Sequence, residues 1–329
     1  MTFQDYLEAK RTVDDRALNR RVLDRFATEL ADRSPPVRIV ELGAGVGTMI
    51  PRLAVQDRLP PRVVYRAVDH DAENISRARK RVPVWLEQAG YEIVSDCRDS
   101  TADFVAGPDS ASTRTLVAEA ANDGSRSDNR RIAVTFEVAD AFSIADDADA
   151  VVASAFLDLV DLEDAIPAIE ALLADDGLLY APITFDGGTT FSPRDQLDDR
   201  IERWYHWHMD RVRSGGCSRA GRTLLAAVPD NGWTLLEAGG SDWIVRPVGD
   251  GYRADERAVI ARVLGTIDDA LAAIEATAVD GTAATPIETA ERRRWFDRRE
   301  RELDRGDLVY VAHNLDVLAS APADGANEP

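Results

Sequence analysis

Lysine is almost missing from this chain: Lys10 and Lys80 are the only two, and arginine supplies nearly all the remaining positive charge. Cysteine is as scarce. Cys97 and Cys217 lie far apart, which implies neither a disulfide framework nor a zinc-ligand cluster, so no metal is expected. No apolar run nears the roughly 18 residues of a membrane span. The opening M-T-F-Q-D-Y-L-E-A-K lacks the apolar core of a secretion signal. These absences predict a cytoplasmic protein without a membrane partner. With 329 residues, 45% of them apolar, the chain can bury one large core or a core with a smaller cap.

The most informative segment is Val37 to Thr48, V-R-I-V-E-L-G-A-G-V-G-T. Its apolar start reads as a buried parallel strand, and the glycines at alternate positions force a tight turn into a helix. Such a turn lets a ligand approach the main chain without meeting a Cβ atom, and helix N–H groups from about Thr48 to Leu53 would point back at it. A dinucleotide fingerprint beginning at Gly43 would put its third small residue at Thr48, an imperfect match. The pattern present is E-x-G-x-G-x-G, from Glu41 to Gly47. Two more strand ends carry carboxylates: V-V-Y-R-A-V runs into Asp69 and His70, and I-A-V-T-F-E-V runs into Ala139, Asp140, Ala141 and Phe142. Further strands are predicted at Ala150 to Ala155 and Leu178 to Thr184, separated by a helix at Leu162 to Leu173 and an Asp175-Asp176-Gly177 turn. Ligands of parallel sheets bind beyond the carboxyl ends of the strands, where Gly43, Asp69, Asp140 and Asp158 fall.

This ordered set resembles the class I S-adenosylmethionine-dependent methyltransferases. The resemblance covers residues 35–185 well and the remainder loosely. It implies an α/β fold with a doubly wound, mostly parallel seven-stranded sheet, helices on both faces and helical cap insertions. It also implies S-adenosyl-L-methionine as cofactor: Glu41 near the methionine amino group, Gly43, Ala44 and Gly45 against the methionine and ribose, and Asp69 on the ribose hydroxyls with His70 beside it. Asp140 would bind the adenine amino group and the Ala141 N–H the ring, with Ala155 completing the set. An NAD-dependent oxidoreductase and a non-catalytic cofactor-binding regulator are the alternatives.

Outside this core, the capping pattern Thr12-Val13-Asp14-Asp15 and apolar residues from Ala17 to Leu30 predict an N-terminal helical cap over residues 1–34, with Arg16 and Asn19 able to face the site. Residues 95–130, rich in Asp, Ser, Gly and Arg, read as a surface insertion with a short helix near Arg114 to Ala121. Residues 186–318 would complete the sheet and build a substrate cap. Within them Ser192-Pro193-Arg194-Asp195 starts a helix to Arg213, Thr285-Pro286-Ile287-Glu288 starts another to Glu302, and Leu308 to Ala312 is the last strand. Residues 319–329 read as a disordered tail.

The helix after Pro193 carries Trp204, Tyr205, His206, Trp207 and His208, an aromatic density suited to covering a pocket. His206 and His208 lie about 200 degrees apart around the helix and cannot share a metal. An activated methyl group needs alignment more than strong acid–base chemistry. Where a base helps, Asp158, His206 and His313 are the catalytic candidates by position. The sequence after the fourth strand, S-A-F-L-D, has neither the N-P-P-Y or D-P-P-Y form of adenine and glutamine-amide methylation nor a Pro-Cys pair, leaving a small-molecule methyl acceptor as partner.

The net charge of −20, with aspartate about twice as common as glutamate, resembles that of proteins from salt-loving archaea, so a halophilic, haloarchaeal source is expected. Hydrated carboxylates keep such proteins soluble when salt screens repulsion. The same acidity argues against nucleic acid as a partner.

Overall fold

A computed structural model of the protein describes residues 1–97, 115–120, 130–276 and 287–323. The chain opens with α1 (Phe3–Ala9), α2 (Arg11–Ala17) and α3 (Arg20–Ala31). Thr2 and Asp5 form a capping box on α1, a helix that apolar periodicity did not announce. The single N-terminal helix expected from Thr12 is broken: Leu18 takes an extended ψ of 128° and Asn19 caps α3 by accepting from the Arg21 and Val22 N–H groups. Thr12 instead donates to Glu256 at 2.9 Å.

There follow β1 (Val37–Leu42), α4 (Met49–Val55), β2 (Arg62–Asp69), α5 (Ala72–Gln88), β3 (Tyr91–Cys97), β4 (Thr115–Ala120), β5 (Arg131–Val138) and β6 (Ala148–Val152). A short 3-10 turn (Leu157–Leu159) leads to α6 (Leu162–Glu170) and the 20-residue β7 (Leu173–Ser192). The chain continues through α7 (Asp198–Arg211), α8 (Ala220–Asp230), β8 (Thr234–Gly240), β9 (Trp243–Val245), α9 (Glu256–Ala276), α10 (Thr289–Asp304) and β10 (Val309–Ser320).

One sheet orders these strands β3-β4-β5-β2-β1-β6-β7-β10-β8, with β9 also on β10. The five strands from β5 to β7 are parallel, and the flanks are antiparallel. The sheet therefore has ten strands among the described residues where seven were expected. The excess comes from β3, β4 and β9. The short helix expected near Arg114 is β4 instead: Leu116 and Ala118 are buried and pair with Val134 and Ile132 of β5, so sheet pairing overrides local composition.

Alternation along β1 divides the core. Val37 and Ile39 face the layer of α3, α4 and α5, whereas Val40 and Leu42 face α6 and α8. The β5–β6 link, residues 139–147, holds no helix, so that crossover leaves the second face uncovered by one. Helix α7 begins at Asp198 rather than Pro193 because β7 runs on to Ser192, paired with Val309. The Asp175-Asp176-Gly177 turn survives as an excursion inside β7, between the pairs Leu173–Ala148 and Leu178–Ala150. Residues 319 and 320, expected in the tail, belong to β10, and Ala319 is buried. Thr285 and Pro286 lie outside the described residues; α10 is capped by a box between Glu288 and Glu291.

On the α3 side, α7 and α10 join through Arg299, which is fully buried. It pairs with Asp198 at 2.5 Å and Glu302 at 2.6 Å and donates to the Pro193 carbonyl at 2.6 Å. Arg16, able by its position to face the site, bridges α2 to α9 through Glu256.

Candidate functional site

The turn after β1 is held from below and walled from above. Gly43 and Gly45 sit at φ of +63° and +56°, a region costly for residues with a Cβ. The Ala44 N–H extends the ladder to Val68. Asp69, at the tip of β2, then fixes the turn: one oxygen accepts the Gly45 N–H at 2.8 Å, the other the Asp71 N–H at 2.9 Å and the Asn74 amide at 3.2 Å. A Cβ on Gly43 would stand 2.4 Å from the Phe156 ring, and one on Gly45 would stand 3.2 Å from Leu7 of α1. The N-terminal helix therefore lies directly on the turn. Ion pairs of Asp5 with Arg77 at 3.0 Å and of Glu8 with Arg77 and Arg81 hold it there, as does a hydrogen bond from Gln4 to Asn74 at 3.0 Å.

Asp140 lies at the neighbouring tip, of β5, and the Ala139 N–H reaches the Asp69 carbonyl at 3.1 Å. Its carboxylate is exposed and accepts from the Phe142 N–H at 2.9 Å and the Ser143 hydroxyl at 3.3 Å. Ala141 is half-buried, and the Phe142 and Phe156 rings stand 6.0 Å apart. His70 is an exposed side chain 3.8 Å from Asp69. Ala155, past β6, takes φ of +49° while its N–H bonds the Pro182 carbonyl at 2.9 Å. Ile183, one residue on in β7, takes φ of +57°. These two strained residues, one just past β6 and one within β7, cost on the order of 1–3 kcal/mol each, strain that collects at functional sites.

Glu41 is placed beneath the turn, away from its mouth. It is 2% exposed, on the Val37 and Ile39 face, and accepts the Tyr65 hydroxyl at 2.9 Å. Burial raises its pKa to about 8, against the opposing pulls of the Tyr65 hydrogen bond and of Arg52. In the protein alone, burial thus favours the protonated acid at neutral pH.

The three candidate bases part company. Asp158, in the turn after β6, lies close enough to Tyr6 of α1 and Tyr205 of α7 to act on them electrostatically, and all three are half-buried. Burial raises the Asp158 pKa, opposed by backbone N–H groups, including that of Phe185, and by Arg213 and Lys10. Burial also raises Tyr6, and raises Tyr205 to about 12, so both stay protonated. His206 stacks edge-on against Phe185 at 5.6 Å, and its Nε2 lies 3.1 Å from the Thr189 hydroxyl. Burial lowers its pKa, leaving it neutral at pH 7. His313 does not join them. It sits with Asp242 at 2.7 Å and Asp186 at 3.7 Å, and alternation along β7 puts Asp186 on the face opposite Phe185. The positional reading of His313 is corrected because a one-residue step along a strand reverses the side-chain direction.

Sequence reasoning missed Tyr6, Leu7 and Phe156. Only the capping residues Thr2 and Asp5 could have announced the helix that carries the first two. Asn19, considered for the site, is a structural cap whose N–H donates to Asp316 at 2.7 Å. Among the described residues no three His, Cys, Asp or Glu side chains gather as metal ligands, and no helix is long and apolar enough to cross a membrane.

Neither the protein-family models nor the curated proteins give a match to the chain. Among solved structures it is similar to a SAM-dependent methyltransferase from Thiobacillus denitrificans in complex with S-adenosyl-L-homocysteine, with 13% identity, 93% of each chain covered and a TM-score of 0.41. It is also similar to geranyl diphosphate C-methyltransferase from Streptomyces coelicolor A3(2), with 12% identity, 92% of this chain and 78% of that chain covered and a TM-score of 0.40.

Proposed function

We propose that the protein is an S-adenosylmethionine-dependent methyltransferase acting on a small-molecule acceptor. The observation that carries this reading is the glycine turn of β1, fixed by Asp69, with the exposed Asp140 carboxylate on the adjoining strand tip. These residues fit the cofactor. Asp140 would accept from the adenine amino group, the Ala141 N–H would meet the ring, and Phe142 offers an apolar face. Asp69 would meet the ribose hydroxyls while holding the turn, with His70 at the rim. Gly43, Ala44, Gly45 and Ala155 would supply close main-chain approach, and Glu41 would brace the turn from below. When bound, the cofactor supplies a methyl group on a positively charged sulfur.

The protein's own part is to seat the acceptor and take its proton. Asp158 would be the proton acceptor, with His206, whose pKa burial lowers, as the second candidate. Tyr6 and Tyr205, kept protonated by burial, would offer hydroxyl groups to the acceptor. Calorimetric titration with S-adenosylhomocysteine and with NAD, in high salt, tests the reading. Binding of the first alone, weakened at least tenfold by Asp140→Ala at unchanged stability, is the expected result. NAD binding alone would make the chain an oxidoreductase.

A further inference from the structure

Asp316 of β10 is fully buried, and its two oxygens meet main-chain N–H groups from segments far apart in sequence: one accepts from Ile183 at 2.8 Å, the other from Asn19 at 2.7 Å. The first contact sits on a bulge. Thr184 pairs with Leu315 and Ala181 with Val317, so Pro182 and Ile183 together stand opposite Asp316. Pro182 has no N–H to lose there, and the Ile183 N–H is taken by the carboxylate side chain. Ile183 holds φ of +57°, a region in which a β-branched residue is strained and stays only where its surroundings enforce it. From the bulge a chain of contacts runs to the glycine turn. The Pro182 carbonyl accepts the Ala155 N–H at 2.9 Å, Ala155 turns the backbone at φ of +49°, and the next residue, Phe156, lays its ring where a Cβ on Gly43 would stand 2.4 Å away. The second contact reaches the other cover of the turn. Asn19 stands at the break between α2 and α3, and the arm before it begins with α1, whose Leu7 lies 3.2 Å from where a Cβ on Gly45 would stand.

Resting on the methyltransferase reading, we propose that Asp316 is a positioning residue for the cofactor site: it sets the bend of β7 at Ile183 and the seat of Asn19, and through them the placing of Phe156 and α1 over the glycine turn. A carboxylate suits this task because both of its oxygens accept. An amide of the same shape accepts on one side only and sets N–H donors against the other N–H. The sheet pairs on either side of the bulge, Thr184 with Leu315 and Ala181 with Val317, do not depend on the side chain. Loss of the carboxylate therefore moves the covers of the turn before it unmakes the sheet.

The test is S-adenosylhomocysteine binding by calorimetry, with the Gly43 and Gly45 amide signals followed by nuclear magnetic resonance. Asp316→Asn should weaken binding about tenfold or more and shift both amides in the ligand-free protein. Arg299→Met, a destabilising change between α7 and α10, should alter affinity by less than about twofold and leave both amides in place, which separates positioning from loss of stability. Glycine meets φ of +57° without the cost of a Cβ, so Ile183→Gly added to Asp316→Asn should recover about threefold or more of the lost affinity. A folded Asp316→Asn protein with wild-type affinity or an unmoved Gly43 amide overturns the inference. So does an equal loss in Arg299→Met, or a loss that Ile183→Gly leaves unrepaired. Should Asp316→Asn not fold, the double variant takes its place: near-wild-type affinity supports the inference, and weak binding or failure to fold overturns it. Wild-type protein that binds no S-adenosylhomocysteine overturns the methyltransferase reading instead, and the amide shifts, read without ligand, still judge Asp316.

Discussion

The Gly45 N–H donates to Asp69 at 2.8 Å, so the carboxylate at the tip of β2 dictates the shape of the turn after β1. In Asp69→Ala the Gly45 and Asp71 N–H groups and the Asn74 amide lose their acceptor together. Leaving buried donors unpaired costs about 1–3 kcal/mol each. Urea unfolding should register a loss of about 2 kcal/mol or more. S-adenosylhomocysteine affinity should fall by more than the roughly tenfold that 1.4 kcal/mol represents.

Gly43→Ala should be destabilising for two separable reasons. Its φ of +63° costs an L-residue about 1–2 kcal/mol. Its Cβ would also stand 2.4 Å from Phe156. Removing the ring relieves the second cost alone. In a double-mutant cycle with Phe156→Ala, the pair should couple by about 1 kcal/mol or more, with a residual penalty from the backbone. Additive effects would mean the ring swings away freely.

Glu41 should make stability fall as pH rises. Its folded pKa of about 8 lies above its ordinary value, so between the two the native state holds a proton that the unfolded chain has released. The stabilisation is full below about pH 4.5 and is lost as pH climbs through about 8. Asp316, raised by burial to about 6, adds the same sign over the lower part of that window. In Glu41→Gln, the amide oxygen can still accept the Tyr65 hydroxyl, and the slope of unfolding free energy against pH between 6 and 8 should flatten. An unchanged slope would contradict the burial of this acid.

Arg299→Met removes the centre of the junction between α7 and α10. It leaves Asp198 and Glu302 without their shared cation, and breaking a buried pair from one side costs about 3–5 kcal/mol. Amide exchange should quicken first in those two helices and least in β1 and β2.

The parallel centre of the sheet was legible because its strands are continuous apolar runs that end in glycine or a carboxylate, as Val37 to Gly43 does. The edges were not. Thr115 to Ala120 sits in a polar stretch, and its pairing with Tyr91 to Cys97 on one side and Arg131 to Thr135 on the other makes it a strand. Of the site, the tips Asp69 and Asp140 could be placed from spacing alone, since a strand end fixes where a residue stands. Orientation needed register: Glu41 turns inward to Tyr65 across the sheet, and His313 turns away from His206, facts decided by neighbours distant in sequence. Tyr6 was invisible for a different reason. A seven-residue helix has too few turns to show a period, and contact with the glycine turn gives it its place.

The position of β10 sets the order in which the molecule can be finished. The strand synthesised after all the others lies between β7 and β8, and its Asp316 accepts the N–H of Ile183 at 2.8 Å as well as that of Asn19. Without β10, β8 has no neighbour in the sheet and the Ile183 N–H has no carboxylate to meet, so the antiparallel flank closes only when this strand inserts between β7 and β8.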